Sequence, residues 1–391
     1  MPTFAIDSPA LARRLERVQP FLAMDVLAAA GARERAGGSV VHMEVGQPSA
    51  PAPRAAIEAA RAALDHGRIG YTDALGIAPL RERIARHYRD AYGIEVPAGR
   101  VVVTTGSSAG FILAFLALFE RAGRVAISAP GYPAYRNILE ALDLEPVPVR
   151  LRAADGWRLT AEEIAAAHAR RPLAGILAMS PANPSGTMIS PEGLKEIAAL
   201  CRRERLWFVS DEIYHGLSYG APADTALRHD PDAVVINSFS KYYCMTGWRI
   251  GWMIVPEKLV RPIERLAQNL FISAPYLSQV AALAAFEATD ELEGVKADYA
   301  RARALLLQEL PALGVGDLHP TDGAFYVYAD VARLTNDSIA FCRRMLDEAG
   351  VAATPGLDFD PDEGHHHIRL SFAGGEAACR EAVSRLRGWL R

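Results

Sequence analysis

Asn237-Ser-Phe-Ser-Lys-Tyr-Tyr-Cys-Met-Thr-Gly-Trp-Arg-Ile-Gly251 follows directly on Ala233-Val-Val-Ile236, an apolar run that reads as a buried strand. Two serines, a lysine, a glycine and an arginine crowd into this short segment. Serine hydroxyls and a planar guanidinium are the donors that a phosphate group takes. Lys241, held among them beside another cation and partly out of water, gives up its proton readily and can form an imine with a carbonyl. A phosphate site around an amine nucleophile points to a phosphorylated aldehyde, and pyridoxal phosphate is the common one. A single lysine in a serine-rich loop is more often a surface residue, so the reading depends on motifs far from this string.

The bounds set by the whole chain agree with an enzyme of ordinary globular type. At 391 residues it exceeds one small core and suits a large domain with a smaller one. Half the residues are hydrophobic and 23% are charged, with a net charge of −4. That balance implies no general attraction to nucleic acid or to an anionic membrane. No apolar run approaches the roughly 20 residues of a membrane span. The start, Met1 to Ser8, lacks a basic segment followed by an apolar one, so no secretory signal is expected. Cys201, Cys244, Cys342 and Cys379 are scattered without paired spacing, and a cytoplasmic location is expected.

Working outward, helical periodicity runs over Leu11 to Ala36, and Val40 to Val45 alternates like a short strand before Gly46-Gln47-Pro48. Prolines at 48, 51 and 53 make the next stretch an extended crossing. Helix 53–66 leads to Gly70-Tyr71-Thr-Asp-Ala-Leu-Gly76 and a helix from Pro79 to Tyr92. From Arg100 a strand, turn and helix pattern repeats. Val101–Val103 feeds the turn Gly106-Ser-Ser-Ala-Gly110 and an apolar helix, Phe111 to Phe119. Small residues at a helix N-terminus offer N–H groups and a positive dipole end to an anion. Val125–Ser128 leads to Pro130-Gly-Tyr132, and Ile176–Ser180 to Asn183-Pro-Ser-Gly186. Thr160-Ala-Glu-Glu163 is a capping box, and Ser190-Pro191 opens helix 191–204. Leu206–Ser210 delivers Asp211-Glu-Ile-Tyr214 at the strand end where parallel sheets place functional groups. Toward the C-terminus come a long helix near 291–310, a strand 323–331, a helix 338–350, a strand Ile368–Ala373 carrying Arg369, and a closing helix 376–390.

Taken together, the Ser238-x-x-Lys241…Gly247-x-Arg249 string and these distant motifs closely resemble the class I/II aminotransferases of fold type I, the aspartate aminotransferase superfamily. The resemblance covers nearly the whole chain. It implies an α/β fold: a large domain over 47–285 with a mostly parallel mixed sheet flanked by helices, and a small α+β domain from 1–46 and 286–391. It implies pyridoxal 5′-phosphate as cofactor and a ping-pong transfer of an amino group from an L-amino acid to a 2-oxo acid. Lys241 then carries the cofactor, Asp211 pairs with the pyridine nitrogen, and Tyr132 stacks on the ring. Asn183 and Tyr214 serve the 3′-oxygen, and the Asn183–Pro184 bond is expected cis. Gly106, Ser107, Ser108, Ser238 and Arg249 hold the phosphate. Arg369 grips the substrate α-carboxylate, a role that its planar fork suits, and Gly46 lies beside the substrate. Tyr71 reaches the neighbouring site of a homodimer.

His365-His-His367 suggests a metal site, but no acidic or cysteine partner is spaced to complete a shell, and none is expected. The same scaffold also supports C–S β-lyases. It occurs too in non-enzymatic regulator domains, for which about 46 residues ahead of the large domain are too few for a winged helix and linker. One departure concerns the donor. The resemblance implies that bacterial aspartate-using relatives carry a lysine for the distal carboxylate where this chain has Ser108; Arg68, near Tyr71 on the loop expected to cross the dimer, is a cation that could substitute. A neutral or aromatic donor is therefore expected.

Overall fold

The computed structural model describes residues 11–390. Its centre is a seven-stranded sheet in the order Val101–Thr104, Gly251–Ile254, Val234–Ser238, Trp207–Asp211, Gly175–Met179, Arg124–Ala129, Glu145–Arg150. Six strands run the same way, and Gly251–Ile254 alone is antiparallel to its neighbours. Helices cover both faces, so the central strands are apolar throughout rather than alternating with polar residues. Along Val234–Ile236, successive side chains enter opposite cores: Val234 and Ile236 join Phe111 and Phe115, whereas Val235 joins Phe208 and Trp252. The α/β class and the mostly parallel mixed sheet are as expected.

A second, antiparallel sheet takes the order Thr354–Pro355, His367–Ser371, Tyr326–Asp330, Gly316–Leu318, and Val41–His42 pairs in parallel with Val351–Ala352. Helices Thr289–Glu309 and Gly375–Trp389 pack beside them. All seven strands of the large sheet lie within 47–285, and all strands of the smaller sheets lie outside it. We propose that division as the domain boundary.

Several local expectations are corrected. The helix expected over Leu11–Ala36 is broken around Pro20 into a 3-10 turn, Arg13–Glu16, and a helix, Leu22–Arg35. A proline disfavours helix in the residue ahead of it and removes an N–H. The strand at 40–45 contracts to Val41–His42, the only part that meets a partner strand. The turn expected at Gly106–Gly110 is already helix, Gly106–Leu118, because Gly106 takes φ +70 and reverses the chain in one residue. The strand expected over Ile368–Ala373 runs over His367–Ser371, with Gly364–His366 in a 3-10 turn ahead of it. Both N-caps form, Thr160 accepting from Glu163 N and Ser190 from Gly193 N, but the capping box is half made because the Glu163 carboxylate has no hydrogen-bond partner.

The helix Ala78–Tyr92 docks on the antiparallel strand through Trp252, whose indole N–H donates to Tyr88 Oη at 3.1 Å with both side chains buried. Tyr88→Phe strands that N–H in an apolar core, at a cost of about 1–3 kcal/mol. A urea titration should give a lower midpoint with an unchanged slope. An unmoved midpoint would mean that the bond contributes nothing net.

Candidate active site

The parallel strands converge on one cavity at their C-terminal edge. Thr104 leads to Ser107 and Ser108, Ala129 to Tyr132, Met179 to Asn183, and Ser238 to Ser240 and Lys241; Asp211 ends its own strand, with Tyr214 just beyond. Arg249 enters from the antiparallel strand, which starts at the same edge. The smaller sheet adds Tyr326 and Arg369, and the crossing segment adds Gly46. The cavity holds about 570 Å³.

At one end lies a cup of donors. The N-terminus of helix Gly106–Leu118 points its first N–H groups there, beside the hydroxyls of Ser107, Ser108 and Ser240. The Arg249 guanidinium reaches it from a left-handed residue (φ +50), with Nη1 donating to Thr246 O at 3.0 Å. A Cβ on Gly106 would stand 2.4 Å from Arg249 Nη2, so glycine leaves the guanidinium its place.

At the other end is Asp211, 2% exposed. Its Oδ1 accepts from Ile213 N at 3.0 Å and its Oδ2 from the Tyr135 hydroxyl. Burial pushes its pKa up to about 6, against these two hydrogen bonds and the Lys241 charge. Lys241 Nζ donates to Gly46 O at 2.6 Å. Burial, then Arg369, then Arg249 push the Lys241 amine down to about 8, with Asp211 opposing. Between them, Tyr214 Oη meets Tyr326 Oη at 2.7 Å.

Arg369 is 2% exposed and stacks over Tyr326 and Phe359 at 4.4 and 4.7 Å. Its Nη1 donates to Asn183 Oδ1 at 2.9 Å and its Nη2 to Thr354 Oγ1 at 3.2 Å and Glu44 O. Its Nε has no partner. The Asn183–Pro184 peptide is cis.

Two residues expected around the phosphate, Ser238 and Gly106, do not line this cavity, and Tyr71, expected at a neighbouring site, lies outside it. Ser238 is buried beneath the loop, its hydroxyl donating to Ile250 O and accepting from the Ser240 hydroxyl, and Ser240 lines the cavity. Gly106 supports Arg249 rather than lining the wall. Tyr71 is 84% exposed and lies away from this chain's own cavity. Arg68 is likewise exposed and outside it. The histidine triplet does not converge: His365 packs on His366, and His367 stacks on Tyr328.

Other wall residues escape a sequence reading. Tyr135 reaches Asp211 from the first turn of helix Pro133–Ala141, three positions beyond Tyr132, and that spacing is the one signal that could have found it. Tyr326 comes from the second sheet, where its hydroxyl would collide with any Cβ at Gly46, 1.6 Å away. Phe21, Ala23 and Met24 roof the cavity from the first turn of helix Leu22–Arg35. Among the described residues, the charged side chains in the wall are Asp211, Lys241, Arg249 and Arg369.

Known proteins resemble this chain in sequence and in overall fold. The family described as aminotransferase class I and II matches residues 39–386. The valine–pyruvate aminotransferase of Mycobacterium tuberculosis is 49% identical over 377 residues, covering 95% of this chain and 97% of the relative. The crystal structure of an aminotransferase from the same organism superposes with a TM-score of 0.95 at 48% identity, covering 98% of this chain and 99% of that one. The Thermus thermophilus aspartate aminotransferase with maleate superposes with a TM-score of 0.91 at 31% identity, over 97% of this chain and 99% of that one. The chain belongs to the class I and II aminotransferases.

Proposed function

We propose that this aminotransferase binds pyridoxal 5′-phosphate on Lys241 and transfers the amino group of a neutral L-amino acid to a small 2-oxo acid such as pyruvate. The observation that carries the reading is the charge arrangement. A cup of donors suits a phosphate, and a buried carboxylate across the cavity suits a cationic ring nitrogen. Members of this family use pyridoxal phosphate. When bound, it supplies an aldehyde that takes up the donor's amino group and a ring that accepts the electrons left by the α-proton.

The residues divide the work by position. Arg249, Ser107, Ser108 and the helix N-terminus hold the phosphate, with Ser240 in the place that the sequence reading assigns to Ser238. Tyr132 provides the stacking face. Asp211 keeps a proton on the ring nitrogen by opposite charge, and Tyr135 orients that carboxylate. Asn183 and Tyr214 donate toward the 3′-oxygen. Arg369 takes the α-carboxylate, with its free Nε as an unused donor. Lys241, poised near neutrality, anchors the aldehyde and afterwards carries the α-proton as general base.

The donor's own side chain meets Phe21, Met24 and Val45, and among the described residues of one chain no cation in the wall is left uncommitted. Arg68, on the loop of a second copy, is the cation that could still serve an acidic donor. Without it, an acidic side chain there would be buried without a partner, which costs several kcal/mol. The M. tuberculosis relative is named for valine and pyruvate, which supports a neutral donor and that acceptor.

A homodimer is part of the proposal. Tyr71 lies with Leu64, Ile69, Leu270 and Ile272, large apolar side chains about half exposed or more, and Thr72 N ties the loop to Ser273 Oγ. A second copy covering this surface would bring Tyr71 to a neighbouring phosphate cup. No described helix is long and apolar enough to cross a membrane. The four free, buried cysteines support a reducing compartment, the cytoplasm.

Three measurements test the reading. Borohydride reduction of the loaded enzyme should fix the cofactor to Lys241, and a label on another lysine would refute the anchor. In apoprotein, pyridoxal phosphate uptake should accelerate as pH rises through about 8, where the Lys241 amine becomes neutral, instead of through the ordinary lysine range. For the donor, kcat/KM for valine, leucine or phenylalanine should exceed that for aspartate by at least about tenfold. Aspartate ahead of all three by that margin would overturn the neutral-donor assignment.

A further inference from the structure

Helix Leu22–Arg35 lacks a cap of its own. Its N-cap residue is Phe21, which has no side-chain acceptor, so the first N–H groups need a partner from elsewhere. That partner is Asp358, more than 330 residues away in sequence. Its Oδ1 accepts from Leu22 N at 3.0 Å and its Oδ2 from Ala23 N at 3.2 Å. A carboxylate at a helix N-terminus also meets the positive end of the dipole. Asp358 is 2% exposed, so these bonds are made away from water.

The loop that carries Asp358 touches the active-site wall at two further points. The next residue, Phe359, stacks beneath Arg369 at 4.7 Å and accepts at its carbonyl from Gly131 N at 3.0 Å. Gly131 precedes Tyr132, whose ring meets Phe21 edge-on at 5.8 Å and 74°. The loop itself is held at Gly356, where a Cβ would stand 2.4 Å from Gly364 O. One rigid turn thus places Phe21, Tyr132 and Arg369 relative to one another.

We propose that Asp358 is a positioning residue for donor selection: by pinning the first turn of helix Leu22–Arg35 it holds Phe21 and Met24 as a fixed roof over the donor's side chain. This rests on the reading of the cavity as a site for neutral donors. Asp358 touches neither donor nor cofactor, and its effect passes through Phe21. Released, the roof retreats, small aliphatic donors lose contact, and bulky ones gain room.

The test uses the full-length, cofactor-loaded enzyme. In Asp358→Ala, amide hydrogen exchange at residues 22–24 should rise by about tenfold, the scale of a lost N-cap. The valine to phenylalanine ratio of kcat/KM should fall by about fivefold or more, through KM for valine, the same scale carried into binding. Pyridoxal phosphate affinity, followed by absorbance, should stay within about twofold, since the phosphate cup is untouched. Asp358→Asn, which keeps one accepting oxygen, should recover more than half of the shift, and it is the arm to read if the alanine variant does not fold. Phe21→Ala should reproduce the ratio change, and adding Asp358→Ala to it should change the ratio by less than about twofold further. An unchanged ratio in both Asp358 variants, or full additivity with Phe21→Ala, would overturn the proposal. A wild type that prefers aspartate would instead refute the neutral-donor reading. The exchange measurement and the Phe21 cycle, run with aspartate, would then decide the role of Asp358.

Discussion

Three cations and one carboxylate share a single cavity, and that imbalance governs the rest of the structure. Lys241, Arg249 and Arg369 line the same cavity as Asp211, where Asp211 and Arg369 are buried and the Arg249 end opens to solvent. Like charges at low dielectric repel strongly, so one of the three must give up its proton or all must find anions. Lysine is the one that can yield, and its amine falls to about 8. The two arginines cannot, and each is left aimed at a place for an anion, a phosphate at one end and a carboxylate at the other. The reactivity of Lys241 follows first from its burial and then from the two arginines beside it.

The frame has to hold these groups still against their repulsion. Most come from the ends of parallel strands buried on both faces, the least deformable part of the chain. The remainder are tied by close backbone approach. Gly106 lets Arg249 lie against a helix terminus, and Gly46 lets the Tyr326 hydroxyl sit where a side chain would otherwise be. The loop Gly356–Asp360 then joins roof, stacking tyrosine and arginine through bonds to Leu22, Ala23 and Gly131. Selectivity thus depends on a part of the chain remote from the chemistry in sequence.

Much of the site was legible because its chemistry needs particular residue types at a strand end. An apolar run followed by Ser-Phe-Ser-Lys, or by Asp-Glu-Ile-Tyr, marks the edge of a buried sheet whichever strands neighbour it. Composition leaves direction open. Ser238 and Ser240 are two positions apart in one motif, but Ser238 bonds inward to Ile250 O while Ser240 faces the cavity. The helix over 11–36 looked continuous because its periodicity survives Pro20, although its backbone does not.

Local sequence by itself determined the alternation of strands and helices, the apolar character of the central sheet, and the identity of the groups that do chemistry. Each is encoded within a few residues, by periodicity, caps and side-chain type. Tertiary structure alone decided which of those groups face one another. Tyr135 on Asp211, Tyr326 on Tyr214 and Asp358 on Leu22 and Ala23 join segments 76, 112 and 336 residues apart. No local pattern specifies such pairs. They follow from packing two sheets around one cavity, where most buried polar atoms find a partner brought by the fold.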